Sequence, residues 1–236
     1  ITTVLQDDAF VGELANVHQL NFSAILATEA EPIVPVAAFD LDKVTSIMYT
    51  SGTTGNPKGV MQTFGNHFYS AVGSALNLGL TPNDVWLAAV RIFHISGLSI
   101  MMRSLIYGMG VVLYERFDVE RINHELLTGQ VTTISVVPVM LKQLLAQLPA
   151  GAVYHERFRT MLLGGGPTDL TTLEKATAAG IEIVQSYGMT ETASQVIALD
   201  ASSATRKLGS AGKPLFPVEV RVQKVNDADK VGRIQI

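Results

Sequence analysis

Residues Thr45–Gly59 read TSIMYTSGTTGNPKG. A short β-rich run, Thr45–Tyr49, leads directly into ten residues, Thr50–Gly59, made largely of glycine and hydroxyl side chains. Small residues such as Gly52 and Gly55 let a backbone approach a ligand closely. Backbone N–H groups and the hydroxyls of Thr50, Ser51, Thr53 and Thr54 can all donate to phosphate oxygens. Lys58 adds a mobile positive charge. The combination suits a polyanion; the plainer alternative is a solvated surface turn. A Walker A loop needs Gly, four residues, then Gly-Lys-Ser/Thr, whereas Lys58 stands between Pro57 and Gly59, so that reading fails on spacing.

Outward from this loop, short β-rich runs alternate with helical patterns. Candidate strands are Thr45–Tyr49, Val85–Ala89, Val111–Tyr114, Thr132–Val136, Thr160–Leu163 and Ile181–Gln185. Candidate helices are Asn66–Leu78, Leu98–Tyr107, Val119–Leu127, Val139–Leu148 and Asp169–Ala179. Pro138 suits the first turn of its helix, and Asp169 the N-terminus of its own. The alternation predicts an α/β fold, a mostly parallel sheet covered by helices. Residues 1–38 read as an extended lead-in and connector, ending in the proline-bearing Ala30–Ala38. Residues 39–216 form the α/β core. Residues 217–236 change pattern: Val218–Val225 and Val231–Ile236 alternate around a turn at Asn226–Lys230, the start of a truncated, β-barrel-like subdomain.

The 236 residues are 47% apolar and 16% charged, with a formal net charge of -4, so a sizeable core is expected and global disorder is not. No basic stripe marks a nucleic-acid or anionic-membrane surface. The most apolar stretch, Trp86–Met102, contains Arg91 and His94 and falls short of the roughly 20 apolar residues of a membrane span. There is no cysteine, which excludes disulfides, a thiolate nucleophile and zinc-thiolate sites, and fits a cytoplasmic location. A homo-oligomer is left open.

Three further segments accompany the loop: LLGGGP (Leu162–Pro167), QSYGMTET (Gln185–Thr192) and IFHISGLS (Ile92–Ser99). Glycines 164–166 allow a flat backbone surface against a planar ligand. An aromatic ring, a hydroxyl and a hard carboxylate oxygen, at Tyr187, Thr190 and Glu191, suit a base, a phosphate and a metal ion. With the loop, and in their order along the chain, these segments resemble the adenylate-forming superfamily of acyl- and aryl-CoA ligases, luciferases and adenylation domains. The resemblance implies that Thr50–Gly59 cradles the phosphates of ATP, with Lys58 and Mg²⁺ offsetting their charge. It implies that Tyr187 stacks on adenine, that Thr190 contacts the α-phosphate and that Glu191 helps hold Mg²⁺. Gly164, Gly165, Gly166 and Gly188 would wall the nucleotide and acyl pocket, with His94 on the substrate side. KLGSAGKPL (Lys207–Leu215) resembles a further family segment, expected to be structural.

HISGLSIMMRSLIYG (His94–Gly108) is similar to the o-succinylbenzoate–CoA ligases of menaquinone synthesis. That acid carries two carboxylates; one is activated, and the other needs a fixed counter-charge. Arg103 is the candidate, because a guanidinium grips a carboxylate with two prongs, and Ser96 can add a hydrogen bond. Arg91 departs from the pattern, standing where proline is expected in most relatives. The implied reaction is AMP-forming, with ATP, the acid and CoA as substrates. The alternatives are another acyl- or aryl-CoA ligase or adenylating enzyme, and a non-catalytic nucleotide-binding module. Both chain ends read as cuts through a longer protein. The family's ribose-binding aspartate and mobile catalytic lysine are expected outside these residues, and negligible ligase activity is expected from these residues alone.

Overall fold

The computed structural model describes residues 3–6, 9, 12–29, 31–32, 34–51, 55–224, 226 and 231–236. They divide into two compact units, Ile1–Phe39 and Asp40–Ile236. In the first, β1 (Thr3–Gln6) and β2 (His18–Asn21) pair in parallel, followed by α1 (Phe22–Leu26). Side-chain amides brace the pair: Gln6 donates to Asn21 at 2.8 Å and Gln19 to Gln6 at 2.7 Å. These elements stand where the sequence suggested only extended chain. They are short and polar, so no hydrophobic period announces them. No described residue of 30–38 is in helix or strand, and Ala30 and Ile33 lie outside the described residues.

The second unit begins with an antiparallel hairpin, β3 (Val44–Thr50) and β4 (Lys58–Thr63), in which Thr50 faces Lys58. It forms a two-stranded sheet of its own. The glycine-rich segment is therefore the tip of a hairpin, a topology foreign to a strand-loop-helix P-loop, in accord with the spacing argument. Helix α2 (Phe64–Leu78) starts at once: Thr63 and Asn66 form a reciprocal capping box.

The strands and helices β5 (Val85–Ala88), α3 (Ile95–Tyr107), β6 (Gly110–Leu113), α4 (Val119–Thr128), β7 (Thr133–Val136), α5 (Pro138–Gln147), β8 (Thr160–Leu163), α6 (Leu170–Ala178) and β9 (Ile183–Met189) then alternate. A 3₁₀ turn at Thr190–Thr192 leads into β10 (Ser194–Leu199), α7 (Ala201–Ala204) and β11 (Lys213–Pro214). These strands make a seven-stranded sheet in the order β11-β10-β9-β8-β7-β5-β6. It is parallel from β6 through β9 and antiparallel at β10 and β11. The predicted α/β class holds, Pro138 occupies the first turn of α5 and Asp169 caps α6. Strands β12 (Arg221–Gln223) and β13 (Arg233–Gln235) form a separate antiparallel pair. Of the turn expected between them, Asn226 alone is described. Among the described residues no barrel closes.

Alternate residues of each central strand face opposite layers. Leu87, Ile134, Met161 and Leu163 join Ile122, Leu126, Leu141, Leu144 and Leu173 of α4, α5 and α6 in one core. Trp86, Ala88 and Leu162 face the other way and join Ile100 of α3. All four residues of β8 are buried, as a strand covered on both faces requires. Among the described residues no helix is long and apolar enough to cross a membrane.

Just before the amino end of β5, buried Asp84 takes two hydrogen bonds from Arg159, at 2.6 and 3.0 Å, and further ones from Thr81 and Thr132. Arg159 also donates to the carbonyls of Leu78 and Gly79, so one ion pair ties the end of α2 to β5 and β8. Burial alone raises the Asp84 pKa. The Arg159, Thr81 and Thr132 hydrogen bonds outweigh it and hold the carboxyl well below the usual carboxylate range. Its stabilisation is therefore complete above the ordinary carboxylate pKa and is lost as pH falls toward the depressed value. Asp84→Asn is expected to lower stability at neutral pH by roughly 2 kcal/mol. Urea unfolding at neutral and acid pH checks this: the deficit should shrink in acid.

Candidate functional site

The carboxyl ends of β7, β8 and β9 and the first turns of α3 enclose a cavity of about 260 Å³. Its wall includes Ser96, Ser99 and Arg103 of α3, Gly164 and Gly165 after β8, and Gly188, Thr190 and Ser194 around the end of β9. A second cavity of about 440 Å³ adjoins it, lined by Gly165, Gly166, Tyr187 and Gly188. The two share Gly165, Ser186 and Gly188. Clefts beyond the carboxyl ends of parallel strands are where open α/β sheets bind ligands.

Arg103 dominates the first cavity. It is 2% exposed, eight residues into α3. Nη1 donates to Ser99 Oγ at 3.3 Å and Nη2 to Ser194 Oγ at 3.2 Å. The guanidinium lies 5.3 Å from the centre of the Trp86 ring, and Nε has no hydrogen-bond partner. Among the described residues no carboxylate pairs with it, and no Asp or Glu lines the cavity. Burial pushes its pKa down, against an opposing influence from Tyr107. A guanidinium remains charged even so. Its burial excludes an arginine that merely solvates an outer helix face.

One partner of Arg103, Ser194, is held with its neighbour Ala193 in unusual backbone. Ala193 and Ser194 have φ of 50° and 105°, a region that favours glycine and that persists only where surroundings enforce it. The enforcement is visible in three side-chain hydrogen bonds. Gln62 donates to the Thr190 carbonyl at 2.6 Å, Ser70 to the Ala193 carbonyl at 2.8 Å and Gln195 to Ser74 Oγ at 2.8 Å. They bind β4 and α2 to the turn between β9 and β10. Nearby His67 is 3% exposed, with Nε2 3.0 Å from Ser46 Oγ. Burial and the charge of Arg103 lower its pKa.

The other expected residues are distributed around this centre. Ser96, Arg103, Gly164, Gly165, Gly188 and Thr190 share the first cavity, and Gly166 and Tyr187 the second. Thr50 and Lys58 form the last pair of the hairpin before its loop, and Ser51 and Gly55 lie between them. Gly52, Thr53 and Thr54 lie outside the described residues. No described residue of Thr50–Gly59 lines either cavity. His94 is exposed at the N-cap of α3, 4.6 Å from the Phe93 ring between centroids. The wall of the first cavity passes through Ile95 and Ser96 instead. Glu191 is exposed and faces a third cavity beside α2. It is a lone carboxylate: among the described residues no three His, Cys, Asp or Glu converge. That suits Mg²⁺, which takes one or two carboxylates together with substrate phosphates. Sequence reading missed Gln62, His67, Ser99 and Ser194, whose neighbours are distant in the chain. It also gave Lys207–Leu215 a structural role only, whereas Gly209, Ser210 and Ala211 line the second cavity.

The profile of the AMP-binding enzyme family matches residues 2–235. The chain belongs to that family. It is 50% identical over 222 residues to a 2-succinylbenzoate–CoA ligase of Geobacillus sp. (strain WCH70), covering 94% of this chain and 45% of that protein. An o-succinylbenzoate coenzyme A synthetase from Bacillus subtilis, solved in complex with ATP and magnesium ion, matches with a TM-score of 0.89 and 44% identity, over 99% of this chain and 50% of that one. The same enzyme solved with the acyl-adenylate intermediate OSB-AMP matches with a TM-score of 0.86 and 44% identity, over 99% and 47%. The chain spans about half the length of the curated relatives it matches.

Gly188 shows how tightly the shared wall is built. A Cβ there would lie 1.9 Å from the Ser194 carbonyl oxygen, whereas one on Gly166 would meet nothing nearer than 3.9 Å. Gly188→Ala is expected to lower stability by roughly 2 kcal/mol or more, and Gly166→Ala to stay within about 0.5 kcal/mol of the parent. Denaturant unfolding of both variants is the check.

Proposed function

We propose that the protein carrying this chain is an AMP-forming acid–CoA ligase of the cytoplasm, and that its acid is o-succinylbenzoate. The observation that carries the reading is Arg103: a buried guanidinium facing a cavity with no carboxylate to answer it. A buried charge left unpaired is costly, and a substrate with a second carboxylate would complete the pair. The names of the relatives support the same acid.

In the first step a carboxylate oxygen of the acid attacks the α-phosphorus of ATP. The bond between the α- and β-phosphates breaks, giving acyl-adenylate and pyrophosphate. In the second, the CoA thiol loses its proton and its sulfur attacks the acyl carbon, and AMP leaves. The protein's part is positioning and charge neutralisation. Thr50, Ser51, Gly55 and Lys58 would hold the β- and γ-phosphates, Thr190 the α-phosphate, and Tyr187 with Gly164–Gly166 the adenine and acyl surfaces. Arg103 and Ser96 would hold the second carboxylate, with His94 at the mouth. Glu191 would hold Mg²⁺, which neutralises phosphate charge when bound. An amino-acid substrate is disfavoured, because the cavity offers no carboxylate for its ammonium.

Acid-dependent exchange of pyrophosphate into ATP by the complete protein tests the reading. Exchange that requires o-succinylbenzoate supports it. Exchange with a different acid only would reassign the substrate, and none with any acid would leave a nucleotide-binding module. Arg103→Met is expected to lower kcat/KM for o-succinylbenzoate by about 100-fold, the scale for removing one partner of a buried charge pair, while KM for ATP moves by less than about threefold.

A further inference from the structure

Gln62 is 1% exposed and lies on β4, four residues beyond Lys58. Its Nε2 donates to the Thr190 carbonyl at 2.6 Å, and its Oε1 accepts from Ser46 Oγ on β3 at 3.0 Å. A carbonyl only accepts, so the amide nitrogen faces Thr190. The single hydroxyl proton of Ser46 is then used on Gln62. The contact of 3.0 Å between Ser46 Oγ and His67 Nε2 must accordingly be donated by the imidazole. The chain His67, Ser46, Gln62, Thr190 is thus polarised in one direction and ends on the backbone of a residue that lines the first cavity.

The position of this chain matters more than its burial. The β3–β4 hairpin has no strand ladder to the seven-stranded sheet. The hairpin bears Thr50–Gly59; the other sheet leads into Thr190 and Glu191. Packing alone would be served at position 62 by leucine or methionine. A buried amide that crosses from one sheet to the backbone of the other fixes a distance that packing does not.

We propose that Gln62 is a positioning residue that sets the Thr190–Glu191 turn against the phosphate-binding hairpin, so that groups from both sheets meet the same nucleotide phosphates. The inference rests on the ATP-dependent reading above. It concerns the adenylation step, in which the phosphates react, and not the attack of CoA on the finished adenylate.

The test uses the complete protein with Gln62→Met, which keeps volume and removes the donor, and with Ser46→Ala and Ser46→Thr. Gln62→Met should lower kcat for acid-dependent pyrophosphate exchange by about 10-fold or more, since small misplacements of reacting groups have effects of this order. KM for ATP and for the acid should change by less than about threefold, as for an interaction realised in the transition state. Turnover of pre-formed acyl-adenylate with CoA should keep its wild-type rate. Ser46→Ala should show a smaller loss of the same kind, and Ser46→Thr, which retains the hydroxyl, should restore exchange. Wild-type exchange in Gln62→Met, or equal losses in both half-reactions that track a lowered melting temperature, would overturn the proposal. If Gln62→Met does not fold, the Ser46 pair decides: equal exchange in Ser46→Ala and Ser46→Thr overturns it. Absence of acid-dependent exchange in the wild type overturns the functional reading, and this inference with it.

Discussion

The buried guanidinium of Arg103 constrains everything around the first cavity. Taking such a charge out of water costs several kcal/mol, and here the compensation is two long hydrogen bonds to serine hydroxyls and the face of Trp86. Neighbouring choices follow from that deficit. Burial and the charge of Arg103 lower the pKa of His67. Ser194, which takes one of the two bonds, is kept at a φ that serine rarely adopts. The local structure is strained and under-satisfied where the ligand is expected, and well satisfied at Asp84 and Arg159, at the amino ends of the parallel strands.

The site is made at a junction. The helix-covered sheet delivers the glycine wall and Tyr187 from its carboxyl ends, and the separate hairpin carries the glycine-rich loop. Side chains tie both the hairpin and α2 to the sheet: Gln62 of β4 donates to the carbonyl of Thr190, Ser70 of α2 to that of Ala193, and Ser74 of α2 accepts from Gln195. Helix α2 is the rigid link, capped by Thr63 directly at the end of β4. The turn that follows β9 borders the first cavity through Thr190 and Ser194.

What was legible in the sequence depended on period and on local chemistry. Strand Thr160–Leu163 and the helices from α3 to α6 were readable because their apolar residues recur at the spacing of a covered sheet. Pro138 and Asp169 were readable because capping acts within a few residues. The cavity's glycines, Tyr187 and Arg103 were readable through short ordered motifs. Strand β4, KGVMQT, was hidden by a glycine and by the polar Gln62. Strand β10 was hidden by its place directly after a motif that reads as a turn. The polar network escaped for a different reason. Gln62 and Thr190 are 128 residues apart, and nothing local to either announces the other.

The central claim is that Arg103 pairs with the carboxylate that is not activated. A two-by-two binding cycle on the complete protein tests it directly, comparing wild type and Arg103→Met against o-succinylbenzoate and its analogue with that carboxylate converted to an amide. The account predicts that wild type prefers the diacid by about 100-fold and that the preference collapses in the variant, the signature of a direct coupling. An undiminished preference in Arg103→Met would contradict it.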